Sequence, residues 1–372
     1  MLKFEILQQK GLMRTGVIST PHGRIRTPAF VGAATRAAMK ALTVKQMSGL
    51  GLQAVLANAY HLVLAPGSWL VKEAGGLAKF MGWEGPTFTD SGGFQIMSLP
   101  GVRVSENGAE FKSHINGDKL IVTPESSMRA QWEIGADIHM AFDCPVGYGV
   151  SRVGFSETKD VMKRTHVWAE RCLLEHQKLA NGADDYQSLY GVVQGGDFAD
   201  LRRESAEFFA ALEFDGYGIG GMYSVDEGRK LLGVMNEILP NDRPRHWLGM
   251  GQEPADLFVG VEFGCDTFDC VGPTRIARNG TLYSPRGRMN IRNAKYRTDF
   301  GVVDAECDCE LCKNYSVAYL HHLFKVDEIT GKILASIHNE RFVVRTMDRI
   351  REAILEDKFE SFRDDFLQRY YC

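Results

Sequence analysis

The stretch Leu189-Tyr-Gly-Val-Val-Gln194 shows the repeating unit from which this chain is built, a short apolar run that ends in a polar residue. After it, apolar residues recur at helical spacing over residues 201–212. The next apolar run, Tyr217-Gly-Ile-Gly220, is again followed by a helical pattern, over residues 225–239. A strand, a helix and a second strand in this order are typical of a parallel sheet.

The same unit occurs along most of the chain. Six further apolar runs are expected to be strands, at residues 28–32, 54–58, 87–90, 137–143, 246–249 and 266–269. Further helical patterns lie at residues 44–50, 126–134 and 156–179. Eight strands that alternate with helices predict an α/β fold of the (β/α)8, or TIM-barrel, type. An open doubly wound sheet is the alternative, but polar residues at the ends of many runs rather than one favour the barrel.

The segments that flank this barrel, predicted to cover residues 28–299, have other patterns. Residues 1–27 alternate apolar and polar positions around a turn, which predicts a small N-terminal antiparallel sheet that caps the barrel. Residues 300–340 are expected to form a zinc-binding subdomain. Apolar side chains in residues 341–372 recur at helical spacing, which predicts a C-terminal helical segment packed on the barrel.

The zinc prediction depends on Cys307, Cys309, Cys312 and the later His338. Three thiolates and one imidazole complete a tetrahedral zinc site and leave no position open for water, so the zinc, one per chain, would be structural. A chance grouping is the alternative, but three thiols within six residues favour a metal.

Composition limits the surroundings in which the protein works. The 372 residues contain no apolar run near the ~20 residues of a membrane span, and the N-terminus lacks the pattern of a secretory signal. The five cysteines outside the zinc set form no disulfide framework, so we expect a cytoplasmic protein. With a net charge of -4, any affinity for nucleic acid must come from a local patch.

Polar residues and glycines follow five of the predicted strands. The sequences at these strand ends are Asp90-Ser-Gly-Gly-Phe-Gln95, Phe142-Asp143-Cys144, Val193-Gln-Gly-Gly196, Gly218-Ile-Gly-Gly221 and Phe268-Asp269-Cys270-Val271. Because the carboxyl ends of barrel strands meet at one rim, we expect three carboxylates and the amide of Gln194 to converge there. A single Asp at a strand end is often the N-cap of the next helix, but three of them beside glycines or an aromatic residue indicate a site.

The residue types at this rim suggest a chemistry. Two carboxylates on opposite sides of a barrel suit displacement at an anomeric carbon, where one attacks and the other moves a proton. A third acid beside a glutamine and backbone amides suits the edge of a purine base, with Phe94 stacked on the face of the base.

A basic run follows the last of these strand ends. Residues 271–298 contain seven Lys or Arg and no Asp or Glu. A solvated basic face is the alternative interpretation. Because the run begins two residues after Asp269, it predicts phosphate contacts that lead a nucleic acid to the mouth of the barrel.

Together these residues resemble the tRNA-guanine transglycosylases, and the bacterial type in particular. The matching sequences are the Cys/Cys/Cys/His set, Asp90-Ser-Gly-Gly-Phe-Gln95, Gly135-Ala-Asp-Ile-His-Met-Ala-Phe-Asp143, Gly191-Val-Val-Gln-Gly-Gly196, Phe268-Asp-Cys-Val271, Pro273-Thr-Arg-Ile-Ala-Arg-Asn-Gly280 and Tyr319-Leu-His-His322. The similarity extends from about residue 14 to the C-terminus. The combination is highly specific, although each part alone is weak.

The resemblance implies a zinc-bearing (β/α)8 enzyme that replaces the wobble guanine of a tRNA by a 7-deazaguanine base. Asp269 would be the nucleophile that bonds to ribose C1′, and Asp90 would be the general acid and base. The residues that would bind the base are Ser91, Gly92, Gly93, Phe94, Asp143, Gln194, Gly220, Gly221, Met222, Leu248 and Met250. The residues that would contact the RNA are Gly249, Gly251, Gln252, Asp256, Thr274, Arg275, Ile276, Ala277 and Arg278.

The resemblance also implies partners. The substrates would be tRNAs with a G-U-N anticodon, namely those for aspartate, asparagine, histidine and tyrosine. The incoming base of the bacterial type is 7-aminomethyl-7-deazaguanine, a precursor in queuosine biosynthesis. The protein would be a homodimer without a membrane contact.

The chain departs from the family pattern at four places. No Glu separates Asp143 from Cys144, and residues 222–227 read Met-Tyr-Ser-Val-Asp-Glu where Leu-Ala-Val-Gly-Glu is usual. The loop at residues 249–254 is one residue longer than usual, and Gly272 replaces a Leu. These changes leave the catalytic pair in place and leave the identity of the incoming base open.

Two other functions fit parts of the sequence. A catalytically silent tRNA-binding partner subunit would share the fold, but such subunits tend to lose the catalytic acids, and both acids are present here. A retaining glycoside hydrolase on the same barrel would explain two carboxylates. It would explain neither the basic run nor the zinc ligands.

Overall fold

The computed structural model describes residues 2–146, 153–183, 185–221 and 224–372. Within these ranges the strands are β1 (Lys3–Lys10), β2 (Met13–Thr20), β3 (Gly23–Thr27), β4 (Ala29–Ala33), β5 (Val55–Asn58), β6 (Thr87–Asp90), β7 (Arg103–Val104), β8 (Ala109–Lys112), β9 (Lys119–Val122), β10 (Ile138–Met140), β11 (Ser188–Val193), β12 (Gly216–Ile219), β13 (Arg245–Trp247), β14 (Thr267–Cys270), β15 (Thr281–Ser284) and β16 (Gly287–Asn290). The helices are α1 (Val44–Gly49), α2 (Ala59–Leu64), α3 (Ser68–Glu73), α4 (Leu77–Met81), α5 (Gly93–Met97), α6 (Pro124–Ile134), α7 (Phe155–Ala180), α8 (Ala199–Ala210), α9 (Val225–Asn236), α10 (Pro254–Glu262), α11 (Gly272–Arg278), α12 (Glu310–Asn314), α13 (Val317–Lys325), α14 (Ile329–Leu355) and α15 (Phe359–Tyr371), with a 3-10 helix at Ala294–Thr298.

Eight of the strands form a closed parallel barrel. Their order around the barrel is β4, β5, β6, β10, β11, β12, β13 and β14, and β14 pairs again with β4. The predicted (β/α)8 barrel is confirmed, and each of the eight predicted runs overlaps one barrel strand. Strands β5, β11, β12 and β14 are buried along their whole length, because helices cover the outside of the barrel and side chains fill its inside.

The predicted N-terminal antiparallel sheet is confirmed as β1, β2 and β3. It covers the end of the barrel at which the strands begin. Arg14 of β2 pairs with Asp266, which precedes β14, at 2.5 Å between Nη2 and Oδ2, and both side chains are fully buried. The backbone N–H of His22 donates to Asp137, which precedes β10, at 3.1 Å. The carboxyl ends of the barrel strands therefore lie at the end opposite this sheet.

Sequence reasoning missed two small antiparallel sheets. Strands β7, β8 and β9 follow α5, and β15 and β16 form a hairpin after α11. Their strands are two to four residues long, too short for alternation of apolar and polar residues to distinguish them from loops. Phe111 of β8 packs on Tyr60 of α2 with ring centroids 5.7 Å apart, which places the first sheet beside the barrel rim.

Helix α14 lies outside the barrel against β4, α10 and α11, and α15 packs on it. It carries His338 and crosses residue 340, where the sequence predicts a boundary between two segments. The division of the chain into four segments stays a prediction. Among the residues that the structure describes, no helix is both long enough and apolar enough to span a membrane.

Candidate active site

Asp90 is the last residue of β6, and its carboxyl group accepts hydrogen bonds from two donors. Nδ2 of Asn58, the last residue of β5, donates to Oδ2 of Asp90 at 2.9 Å, and the backbone N–H of Gly92 donates to Oδ1 at 3.1 Å. The Asn58 amide is held in this orientation because its Oδ1 accepts the backbone N–H of His61 at 3.1 Å, as the N-cap of α2. The neighbouring strand and the turn after β6 thus fix the Asp90 carboxyl group.

Burial raises the pKa of Asp90 to about 7, and the negative charge of Asp269 is the next largest cause of the rise. The hydrogen bonds from Asn58 and Gly92 act in the opposite direction. A carboxyl group with a pKa near neutrality suits the exchange of a proton with a substrate. The effect of Asp269 also indicates that the two carboxyl groups are close to each other.

Asp269 lies in β14, and only one of its two carboxyl oxygens accepts hydrogen bonds from the described residues. Its Oδ1 accepts the backbone N–H of Gly249 at 2.9 Å and lies 3.1 Å from Nε2 of His246. No group among the described residues donates to Oδ2, and 12% of the side chain is exposed. Oδ2 is therefore the oxygen of this carboxyl group that has no hydrogen-bond donor among the described residues.

Asp143, Gln194 and Ser91 come together at the same rim, as the sequence predicts. Nε2 of Gln194 donates to Oδ2 of Asp143 at 2.7 Å, and the Ser91 hydroxyl lies 3.4 Å from Oδ1. Burial raises the pKa of Asp143 to about 6. Oε1 of Gln194 is buried without a hydrogen-bond partner in the described part of the chain. An N–H group of a ligand, or a water molecule, can donate to this oxygen.

Two glycines let the backbone approach this pocket closely. Gly92 has a φ of +77°, and a Cβ at this position would lie 2.4 Å from Cβ of Tyr60. A Cβ on Gly93 would lie 2.6 Å from the backbone oxygen of Asp143. Any larger residue at either position would displace the wall of the pocket, so lack of space explains the pair of glycines.

The other residues predicted to bind the base have different surroundings. Phe94 lies half-buried on α5, and Leu248 is half-buried directly after β13. Met250 is buried in the main core, with 6% of its surface exposed. Met222 lies outside the described residues. The roles of all these residues stay predictions.

The loop after β13, which is predicted to contact RNA, is stabilised by hydrogen bonds among its own residues and the start of α10. Oδ2 of Asp256 accepts the backbone N–H groups of Gly251 at 3.3 Å and Glu253 at 3.0 Å. A Cβ on Gly272 would lie 2.5 Å from Cγ of Gln252, so the Gln252 side chain fills the space that a larger residue 272 would need. The longer loop and Gly272, two departures from the family pattern, are therefore in contact with each other.

The predicted RNA-contacting residues of α11 face in two directions. Thr274 and Ala277 are buried and Ile276 is half-buried, so these side chains position the helix. Arg275 is exposed, and Arg278 is half-buried with an Nη1 atom that lacks a hydrogen-bond partner among the residues described. The two cations are three residues apart on one helix and are therefore neighbours, and burial and the charge of Arg275 lower the pKa of Arg278.

The predicted metal ligands Cys307, Cys309, Cys312 and His338 are buried together, with their ligand atoms within 4.8 Å of one another. Nδ1 of His338 lies 3.3 Å from Sγ of Cys312, and Nε2 lies 2.8 Å from the carbonyl oxygen of Tyr283. One ring nitrogen thus faces the sulfur atoms while the other is held by a backbone acceptor, as is usual for a metal-binding histidine. The prediction that these four residues form a group that could hold a metal ion is confirmed.

Comparison with known proteins identifies the family. The profile of the family described as Queuine tRNA-ribosyltransferase matches residues 9–372. The chain belongs to this family. A protein named queuine tRNA-ribosyltransferase from Herpetosiphon aurantiacus is 47% identical over 97% of this chain and 90% of its own length. One of the same name from Desulforamulus reducens is 46% identical over 99% of this chain and 98% of its own length. The predicted family is confirmed.

In this member of the queuine tRNA-ribosyltransferase family, sequence reasoning missed three polar residues of the site. Asn58 and His246 contact the two carboxyl groups, and buried Arg202 donates to the carbonyl oxygens of Gly220 at 2.7 Å and Gly221 at 3.0 Å. A signal was present for Asn58, because it ends β5 as Asp90 ends β6. His246 lies within a strand and Arg202 on a helix, and the sequence around them gave no comparable signal.

The interaction between the two carboxyl groups can be tested without a substrate. Asp269→Asn removes a negative charge and should lower the pKa of Asp90, whereas Asn58→Ala removes a donor to the carboxylate and should raise it. The measurement is a pH titration of the Asp90 carboxyl carbon by NMR. Asp215→Asn, at the capped end of the barrel before β12, is the matched control and should cause no change. An Asp90 pKa that does not respond to Asp269→Asn would show that the groups face different spaces.

Proposed function

We propose that this protein replaces the guanine at the wobble position of a tRNA by a 7-deazaguanine base, through a covalent intermediate on Asp269. One observation carries this proposal: at a single rim of the barrel, a carboxyl group with a pKa of about 7 lies near a carboxylate of which one oxygen has no donor among the described residues. Membership of a family described as queuine tRNA-ribosyltransferases supports an enzyme that acts on tRNA. We place the reaction in the cytoplasm, where tRNA is found.

The two carboxyl groups divide the chemistry between them. Oδ2 of Asp269 attacks C1′ of the ribose, the bond from C1′ to the guanine nitrogen breaks, and its electron pair leaves with the base, which takes the proton of Asp90. The incoming base then gives a proton to Asp90 and attacks C1′, and the ester bond to Asp269 breaks. Two inversions leave the configuration at C1′ unchanged.

The pocket around Asp143 would select the base. Ionised Asp143 can accept the two N–H groups on the Watson–Crick edge of guanine, and the amides of Gln194 and Gly221 complete the contacts to this edge. Phe94 would stack on the face of the base. As incoming base we propose 7-aminomethyl-7-deazaguanine, because it presents the same edge and carries its substituent on the other ring.

Incorporation of radiolabelled guanine into a tRNA with a G-U-N anticodon tests the proposal. Asp269→Ala should abolish exchange because the nucleophile is lost, and Asp90→Asn should lower the rate roughly 10²- to 10⁴-fold because the acid is lost. Asp215→Asn should retain the wild-type rate.

Two outcomes of this assay would contradict the proposal. Exchange by the Asp269→Ala protein would refute the assigned nucleophile. Tight tRNA binding by the wild-type protein without any exchange would instead indicate a silent partner subunit.

We propose that Arg275 and Arg278 of α11 contact phosphates of the anticodon arm, in the tRNAs for aspartate, asparagine, histidine and tyrosine. The exposed side chain of Arg275 supports this placement, as does the Nη1 atom of Arg278, to which no described residue offers an acceptor. Two nearby cations without an acidic partner in their segment suit a polyanion. The buried residues of α11 and of the loop after β13 would position the backbone that carries this surface.

Arg275→Ala and Arg278→Ala should each weaken tRNA binding, and each should reduce the slope of log affinity against log salt by about one. Fluorescence anisotropy with a labelled anticodon stem-loop over a series of salt concentrations measures both quantities. Arg229→Ala, an exposed position on the outer helix α9, is the matched control. A salt slope equal to that of the wild type would refute the proposed phosphate contacts.

We propose that the metal ion is a structural zinc, one per chain. Three thiols and one imidazole with ligand atoms within 4.8 Å suit a closed tetrahedral site. A bound zinc ion would connect residues 307–312 to α14 and, through the Tyr283 carbonyl, to β15. The ion would supply folding energy rather than chemistry.

Elemental analysis should therefore find one zinc ion per chain, and removal of the ion by a chelator should lower the melting temperature. Cys309→Ser should lose the metal, whereas Cys372→Ser should keep it, since Cys372 is exposed and lies outside the group. Folded, active protein with much less than one zinc per chain would contradict the proposal.

We also propose that the protein is a homodimer. The segment around the metal ligands exposes several large apolar side chains: Phe300, Val302, Tyr319, Val326 and Ile329. Exposed apolar surface of this kind is typical of an interface between proteins. Sedimentation of the protein as a monomer at micromolar concentration would contradict this.

A further inference from the structure

His246 is a fully buried histidine in contact with the proposed nucleophile. It lies in β13 with no exposed surface. Its Nε2 lies 3.1 Å from Oδ1 of Asp269, and its Nδ1 lies 2.9 Å from Oγ1 of Thr267. The ring also packs on Phe88 with centroids 5.5 Å apart. Three neighbours from two other strands therefore fix the orientation of the imidazole.

The carboxylate neighbour determines that Nε2 of His246 carries a hydrogen. An ionised carboxylate can only accept hydrogen bonds, so Nε2 must carry a hydrogen and donate to Oδ1. The Thr267 hydroxyl, which can donate or accept, is the partner of Nδ1. Oδ1 of Asp269 receives a second donor, the backbone N–H of Gly249 at 2.9 Å. Both donors go to the oxygen that does not attack.

We infer that His246 is a positioning residue that stabilises the carboxylate form of Asp269 against its ester, and so limits how much enzyme is held as a covalent RNA adduct. The inference depends on the base exchange proposed above. Attack by Oδ2 forms the bond to C1′ and converts Oδ1 into the carbonyl oxygen of a neutral ester. When the incoming base attacks C1′, the electron pair of the broken C1′–Oδ2 bond returns to the carboxylate, and the released proton of the base goes to Asp90.

The donors on Oδ1 act differently on the two forms of Asp269. A hydrogen bond to a charged oxygen is stronger than one to a neutral carbonyl oxygen. Loss of the His246 donor should therefore shift the equilibrium toward the ester. A residue with only a structural role would have the opposite effect, because a damaged site would form less adduct as well as less product.

Two amide substitutions at His246 test the inference, because they differ in whether the donor to Asp269 is kept. His246→Gln can place its amide near the position of Nε2 and keep the donor to Asp269, whereas the shorter His246→Asn can reach only Thr267. Each protein is incubated with an anticodon stem-loop RNA and a fixed concentration of guanine, then denatured. The ratio of covalent adduct to free protein is read on a denaturing gel, beside the rate of guanine exchange. His166→Gln, which alters a buried histidine paired with Ser205 on the outer helices, is the matched control.

For His246→Asn we expect an adduct ratio about 10-fold higher than that of the wild type, with slower exchange. His246→Gln should restore a ratio close to that of the wild type, and His166→Gln should have no effect. The inference is overturned if His246→Asn gives an equal or lower adduct ratio while the wild type exchanges guanine, or if His246→Gln behaves like His246→Asn. A wild-type protein with neither exchange nor adduct would overturn the proposed function itself, and the inference with it.

Discussion

The site depends on the burial of one acidic side chain, Asp90, near the negative charge of another, Asp269, at the end of the barrel opposite the N-terminal sheet. Asp90 is the last residue of the third barrel strand and Asp269 the last but one of the eighth, and closure of the parallel sheet brings both strand ends to one rim. Burial and the charge of Asp269 raise the pKa of Asp90 to about 7. Two donors meanwhile hold Oδ1 of Asp269. One group can therefore carry a proton while the other is ready to attack, as displacement at C1′ requires.

Two parts of the molecule outside the rim stabilise the strands that form it: the N-terminal sheet at the other end of the barrel and helix α14 on its outer surface. The buried pair of Arg14 and Asp266 joins the N-terminal sheet to the start of β14, the strand that carries Asp269. Helix α14 packs on β4, the neighbour of β14 in the barrel, and carries His338 of the metal group. The cap and the metal-binding segment are therefore both connected to the strand of the proposed nucleophile.

Much of this arrangement can be predicted from the sequence, because the strand ends that meet at the rim are marked by apolar runs followed by acids and glycines. Contacts that depend on pairing between strands cannot be predicted in this way. Asn58 reaches Asp90 because β5 and β6 pair with these two residues opposite each other. His246 reaches Asp269 because β13 lies beside β14. No single run of residues reveals such a register, and strands of two to four residues are too short to show a period.

A covalent bond between Asp269 and the ribose is the step without which the proposed exchange cannot occur. Mass spectrometry can locate it in protein that is quenched during turnover with an anticodon stem-loop RNA and then digested with ribonuclease and protease. We expect an abasic ribonucleotide on the peptide that contains residues 267–270, with fragmentation that assigns the added mass to Asp269. An adduct on Asp90 or Asp143, or exchange without any adduct, would contradict the proposed mechanism.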